Sequence, residues 1–234
     1  TQYHVLADAL SAIDPQNYDD WVAMGHALKS SGDHLLPLYL RWSKKRSDGS
    51  TPRNFVSEED VRTRWQSFNP KRTSLAAVFR KAADAGWTGD SPFVLKSNSH
   101  TTLARYILAE IELREPKPVY ADGELWRFGG TNWQPFEEHE KWCMVQRLDG
   151  LRYGEKGVVH ANKSLIYGVL SELHAMCAVP EFFDDAPIGL NCQSGFIRLD
   201  SKKKPELIPH PPALRQRFCI TAEWDPDAKV TPSP

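Results

Sequence analysis

Apolar residues recur at helical spacing through the first ninety positions of this chain and then give way to a mixed pattern. Leu6, Leu10 and Ile13 fall on one stripe, closed by Asp14-Pro15. Asn17 with Asp20 offers a cap for a second helix carrying Trp21, Met24, Ala27 and Leu28. A third helix is expected from His34 to Arg46, with Pro37 tolerated in its first turn. Ser57 and Asp60 form another capping pair before Val61, Trp65 and Phe68. Leu75, Val78, Phe79 and Ala82 make a final amphipathic stripe that stops at Gly86. Trp21, Trp42, Trp65 and Trp87 recur at similar intervals, but their neighbours share little, so they read as core anchors of a bundle rather than as a repeat.

The stretch TGDSPFVLKSNSHT is rich in Ser, Gly, Asn and Pro and reads as a linker. Beyond it, Thr102 to Glu115 has helical period and ends at Pro116 and Pro118. VYADGELWRF places Asp122-Gly123 between two β-prone runs, a hairpin signature, and Gly129-Gly130 leads to a third run, NWQPF. Helices are expected over Glu137–Leu148 and Asn162–Val179. IGLNC, GFIRLD, ELIPH and RFCITAEW then read as strands. The expected fold class is mixed: an all-α domain over 1–90, a linker over 91–101, and an α+β domain with a small antiparallel sheet over 102–234.

Composition fits that frame. At 234 residues, 41% hydrophobic and 25% charged, the chain suits one large soluble domain or two ordinary ones. The longest apolar run, LLPLYL, is far too short to span a bilayer, so no membrane partner and a cytoplasmic location are expected. The chain starts without Met or a basic-then-apolar leader, and is read as a segment of a longer polypeptide. Cys143, Cys177, Cys192 and Cys219 show no metal-ligand spacing; buried free thiols are expected, with a zinc site or a disulfide as the alternative.

Charge changes the picture more. The net charge of −1 conceals eleven Lys or Arg against four acids between Arg41 and Lys81. Phosphates are neutralised locally and release their counterions locally, so this surplus points to a polyanion. The candidate DNA-binding residues are Arg41, Lys44, Lys45, Arg46, Arg53, Arg62, Arg64, Lys71 and Arg72. Arg41, Lys44 and Lys45 stand at i, i+3 and i+4, while Arg62 and Arg64 cannot share one helical face. Nothing assigns any of them to base readout, so sequence-tolerant, salt-sensitive binding to single-stranded or forked DNA is expected.

Candidate chemistry is thin. GVVHANKS, residues 157–164, matches a phosphate loop at Gly157, Lys163 and Ser164, but Asn162 replaces the second glycine. The preceding LRYGEK is a poor core strand, and Asn is a favoured N-cap. A capped helix start is the reading adopted, with a degenerate nucleotide-binding loop as the alternative. Asp19-Asp20 and Asp184-Asp185 lack partners at a recognisable spacing; capping by Asp20 and a solvated turn account for them. His26 and His174 read as structural. No catalytic residue, metal site or cofactor site is expected in this segment.

Two stretches resemble a known family. ALSAIDPQNYDDWVAMGHALK, LRWSKKR, VRTRWQSF and SLAAVFRKAADAGW resemble the helical domain C-terminal to the primase core in phage and plasmid primase-helicases. Tyr18, Trp21, Gly25, Leu28, Trp42-Ser43, Trp65 and Ala85-Gly86-Trp87 carry the likeness. DGELWRFGGTNW and the closing IGLNCQSGFIRLD…LIPHPPALRQRFCITAEWDPDA are similar to the region preceding the superfamily 3 helicase in poxvirus-type and satellite-phage-type primase-helicases. Ser194-Gly195 stands where that family usually has Asn-Gly, while Pro209-His210 keeps its Pro-His. The resemblance implies a non-catalytic DNA-binding and coupling region, with a primase core before it and a helicase ATPase after it as partners. ATP and Mg²⁺ would belong to those flanking domains. A homo-oligomeric or partner-gripping collar, with Trp126, Trp133 and Trp142 as interface candidates, is the competing expectation.

Overall fold

The computed structural model describes residues 2–44, 46, 48–71, 73–199 and 204–225. Helices α1 (Gln2–Ser11), α2 (Tyr18–Lys29), α3 (Leu36–Ser43), α4 (Glu58–Ser67) and α5 (Ala76–Asp84) form its first part. Caps lie where the sequence predicts them. The Asn17 side chain accepts from the amides of Asp19 and Asp20, and Ser57 Oγ accepts from the amide of Asp60. Asp20 does not cap: its own carboxylate lies 2.8 Å from Lys81 Nζ. The expected third helix is shorter than 34–46. A 3₁₀ turn at Asp33–Leu35 precedes α3, Pro37 occupies its first turn, and Lys44 is its C-cap. Arg46 instead closes a turn, its amide donating to Ser50 O at 2.9 Å.

An aromatic cage centres on Tyr39, whose ring lies 5.3 Å from Trp21, 5.4 Å from Trp65, and 5.9 Å from both Trp42 and Phe68. Burying rings of this size contributes about 4–6 kcal/mol each in gross transfer free energy, before the cost of ordering them. A buried indole N–H must keep a partner. Trp21 donates to Ser43 Oγ, Trp42 to Ile13 O, Trp65 to Asp33 Oδ1 and Trp87 to Asp8 Oδ2. Three of these rings are buried as core anchors; Trp87 is half-buried. Gly25, mid-helix in α2, allows a close approach: a Cβ there would stand 2.2 Å from Phe68 Cε2.

Phe93 and Leu95, within the linker-like stretch, are buried. Phe93 stacks on Phe79 at 5.7 Å and meets the Tyr106 ring edge-on at 5.5 Å. One hydrophobic cluster therefore runs from Leu6 through this stretch to Cys177. Helix α6 (His100–Glu112) packs along α8 (Lys163–Cys177), and α7 (Glu138–Gln146) lies against α8 as well.

Among the described residues, three small antiparallel sheets complete the mixed fold, where one was expected. The first orders β1 (Val119–Ala121), β2 (Glu124–Phe128) and β3 (Trp133–Pro135). Its hairpin turns at Asp122 (φ 52°) and Gly123 (φ 80°), the paired positive φ of a type I′ turn. The second pairs β4 (Arg152–Tyr153), within LRYGEK, a stretch read as a poor core strand, with β5 (Gly157–Val158) just after it. Gly157 makes it possible, since a Cβ there would meet the Tyr153 ring at 2.4 Å.

The third sheet orders β6 (Gly189–Cys192), β7 (Gly195–Arg198) and β8 (Glu206–Ile208). The strand expected over RFCITAEW reduces to one parallel bridge, Cys192 to Ile220. Asn191 Nδ2 bonds Phe218 O at 2.8 Å, so a side chain takes the carbonyl that a longer ladder would use. The residues that mark the resemblance in this region act as ties. A His210 ring nitrogen lies 2.7 Å from Cys192 O, and Ser194 Oγ accepts from the Trp224 amide at 2.9 Å. No helix among the described residues is long and apolar enough to cross a membrane.

Candidate nucleic-acid interface

The basic segment folds as the end of α3, a long connection, α4, a turn and α5. Arg41 and Arg46 line one cleft of about 190 Å³ between α1 and α3, floored by Leu10, Leu38 and Trp42. The Arg41 guanidinium lies 5.8 Å from the Tyr3 ring centroid, within cation–π range. Arg46 is a fork on Asp14, at 2.8 and 3.1 Å, with Asp48 at 3.5 Å. That guanidinium holds the Asp14 carboxyl below the ordinary aspartate range. Lys44 and Arg62 meet on opposite oxygens of Glu58, whose carboxyl is likewise held low, chiefly by the hydrogen bond from Lys44.

Arg53, Arg64 and Lys71 are exposed and make no ion pair among the described residues. Arg53 rides on a connection pinned by Asn54, whose Nδ2 donates to Pro15 O and Gln16 O. Arg64 projects from α4, on the opposite flank from Arg62. Lys45 and Arg72 lie outside the described residues. Of the i, i+3, i+4 set, the described residues are Arg41, in the last turn of α3, and Lys44, its C-cap.

Two acids that neutralise this segment, Asp14 and Asp20, come from before it in the chain. Counting charge inside a sequence window overstates what the surface offers. Such exposed pairs are worth only about 0–1 kcal/mol, so a phosphate can displace the carboxylate. Among the described residues of this segment, Arg53, Arg64, Lys71 and Arg80 are exposed and without ion pairs, the last on α5. Arg80 was absent from the candidate set, although its place off the Val78–Phe79–Ala82 stripe marks it as outward-facing.

The other candidates resolve locally. Asn162 has φ −127° and ψ 171°, and its side chain accepts from the Leu165 amide at 2.9 Å. It is an extended N-cap, so residues 157–164 run from a two-residue strand into a capped helix. Asp184 and Asp185 are exposed beside a turn at Glu181. His26 packs against Phe68, and His174 stacks on Tyr120 at 4.3 Å. Cys177 and Cys192 are buried free thiols, but Cys143 is exposed, on the face of α7 away from Met144 and Val145. Trp133 is buried, whereas Trp126 and Trp142 are half-buried. No group of three His, Cys, Asp or Glu among the described residues could hold a metal ion.

A second charged feature was not anticipated. A cleft of about 350 Å³ between α6, α7 and β2 gathers Arg114, Arg127 and Arg147 with Glu110, Glu115 and Glu140. Its signs balance. Arg127 is bound to Glu140 at 3.0 Å, and Arg114 donates to Ser31 O at 2.8 Å. Burial raises the Glu110 and Glu115 carboxyls above the ordinary glutamate range.

Residues 6–82 match the Primase C terminal 2 (PriCT-2) family. The matched span begins within α1 and ends within α5, and so coincides with the aromatic-caged helical part. This part of the molecule is similar to a primase-associated C-terminal domain. No curated protein matches the chain.

Proposed function

We propose that this chain is the non-catalytic DNA-binding and coupling region of a phage- or plasmid-type replication primase-helicase, standing between a primase core and a superfamily 3 helicase. The carrying observation is that a domain similar to PriCT-2 presents Arg53, Arg64, Lys71 and Arg80 exposed and without ion pairs among the described residues. Long cationic side chains on a connection, a helix and a turn can track phosphates without reading bases. Arg41, Lys44, Arg46 and Arg62 add to them by exchanging weak carboxylate partners for phosphate.

The test is a titration of labelled single-stranded and forked DNA at several salt concentrations. Reversing Arg53, Arg64 and Lys71 together to Glu should weaken binding to every sequence alike. It should also reduce the log–log salt slope by about two, at roughly 0.7 per phosphate contact on single strands. Affinity that ignores both salt and the reversal would refute the reading.

A competing reading, a collar that pairs copies or grips a protein, is favoured by one specific feature. Leu190, Ile197 and Leu207 stand opposite one another across β6, β7 and β8. Beside them Phe218 is 81% exposed and Ile188 83% exposed. Light scattering with and without DNA separates the two: assemblies that form without DNA and disregard it favour the collar.

A further inference from the structure

Far along the chain from the basic segment, the start of α8 carries an aromatic side chain that the core does not use. Tyr167 is 54% exposed, although it sits one turn into a helix whose other face is fully packed. Its ring is braced from the α7 side by Trp142, edge-on at 5.4 Å and 81°. Trp142 is itself fixed, its indole N–H donating to Glu138 Oε1 at 3.0 Å. From the α6 side, His100 lies so close against Gly168 that a Cβ there would stand 2.3 Å from the imidazole. Gly168, the residue after Tyr167, thus lets an exposed imidazole lie directly on α8. Trp142 and Tyr167 thus form an aromatic pair from two helices, with the His100 ring on the α6 side of α8.

Cations accompany the pair. Lys163 Nζ lies 5.9 Å from the Tyr167 ring centroid, one turn back on the same face. The β4–β5 hairpin leads directly into α8 and exposes Arg152 and Lys156. The hairpin's base is held there by Gly150 N to Val159 O at 2.9 Å and Ala161 N to Asp149 Oδ1 at 2.7 Å. The nearby Glu138 carboxylate is offset by Lys141 at 2.8 Å. An exposed, braced ring with an ammonium one turn away suits an unpaired nucleotide, the base on the ring and its phosphate on the lysine. Bases inside a duplex keep their faces stacked on one another and cannot use such a ring.

We infer that the braced Trp142–Tyr167 pair, with Lys163, is a stacking platform for single-stranded DNA. It is separate from the cations of residues 41–80 and selects strand form, whereas they supply affinity for any strand. The test is fluorescence anisotropy with a labelled oligo-dT and a labelled duplex of equal length. Three proteins are compared with the parent chain: Tyr167→Ala, Tyr167→Phe, and the Arg53, Arg64, Lys71 reversal. Tyr167→Ala should weaken oligo-dT binding about tenfold while leaving duplex affinity and thermal stability unchanged, as base–aromatic stacking contributes in other single-strand binders. Tyr167→Phe should retain parental affinity. Equal loss on both DNA forms, or no loss on oligo-dT, overturns the platform. If the reversal abolishes binding while Tyr167→Ala is silent, the platform falls and the proposed function stands. If the parent chain binds neither DNA, both fall.

Discussion

The helical part and the region beyond residue 100 handle charge in opposite ways. In the first, cations stay at the surface and pair, where they pair, with carboxylates that solvent also reaches, as Lys44 and Arg62 do with Glu58. The interior is left to aromatic and aliphatic side chains. In the second, around α6 and α7, part of the charge is drawn inward. Lys141 is only 8% exposed between Glu124 and Glu138, and Glu110 and Glu115 face a cleft beside three guanidinium groups. The contrast bears on function because surface pairs are weak enough to exchange a carboxylate for a phosphate. Charges in a low-dielectric cleft are committed to one another and cannot be released cheaply. On the proposed reading, formal charge over residues 41–80 would be open to a polyanion, whereas the charges lining the cleft of α6 and α7 face one another.

The largest effect that could break this contrast is on the aromatic interior. Trp65 is 2% exposed, touches Tyr39 and Phe68, and donates to Asp33 Oδ1 at 2.7 Å. Trp65→Ala should lower unfolding free energy by about 3–5 kcal/mol in urea titration. A loss below about 1 kcal/mol would mean that the cage is not what holds the helical part together. A smaller effect is expected at Gly25. Replacing a mid-helix glycine by alanine ordinarily adds about 1 kcal/mol of stability. Here the new Cβ meets Phe68 at 2.2 Å, and overpacking costs about 1–3 kcal/mol, so Gly25→Ala should be net destabilising. A rise in urea midpoint would show that Phe68 yields and that the cage is looser than its ring distances indicate.

Much of the helical part was legible because its signals are local. Asn17 and Ser57 cap where the pattern places them, and Gly86 ends α5 with φ 93°. The indole partners were not legible: Ser43, Ile13, Asp33 and Asp8 come from other elements. The same limit affected the candidate interface. Exposed Arg53, Arg64 and Lys71 follow from the pattern, but the pairing of Arg46 with Asp14 and of Lys81 with Asp20 depends on α1, α2 and α5 coming together. In the later region the Asp122-Gly123 hairpin was readable from its turn residues alone. The β4–β5 hairpin was not, because Tyr153 lying over Gly157 is its only side-chain signature. The balanced cleft escaped for a related reason, since its six charged residues are spread from Glu110 to Arg147 on three elements.

Glu110 provides the finest probe of the contrast, with an effect smaller than either core change. It lies on α6 facing the cleft, and burial is the strongest influence on it, raising its carboxyl above the ordinary glutamate value. Arg147, Arg114 and the Tyr106 hydroxyl pull the other way but do not overcome burial. The sign follows from linkage. Below about pH 4, near the ordinary glutamate value, folded and unfolded chains both hold the proton and no penalty exists. As the pH rises, the unfolded chain releases its proton first. The fold then carries a growing penalty, which levels off once the raised pKa is passed. Glu110→Gln keeps the shape and removes the titration, so its advantage over the parent should be absent near pH 4 and present at neutrality. Urea midpoints measured at both pH values read this directly. A variant less stable than the parent at neutral pH would mean that Arg114 and Arg147 depend on an ionised Glu110. The cleft would then be a network of ion pairs, held together by the same exchangeable kind of contact that covers the basic segment.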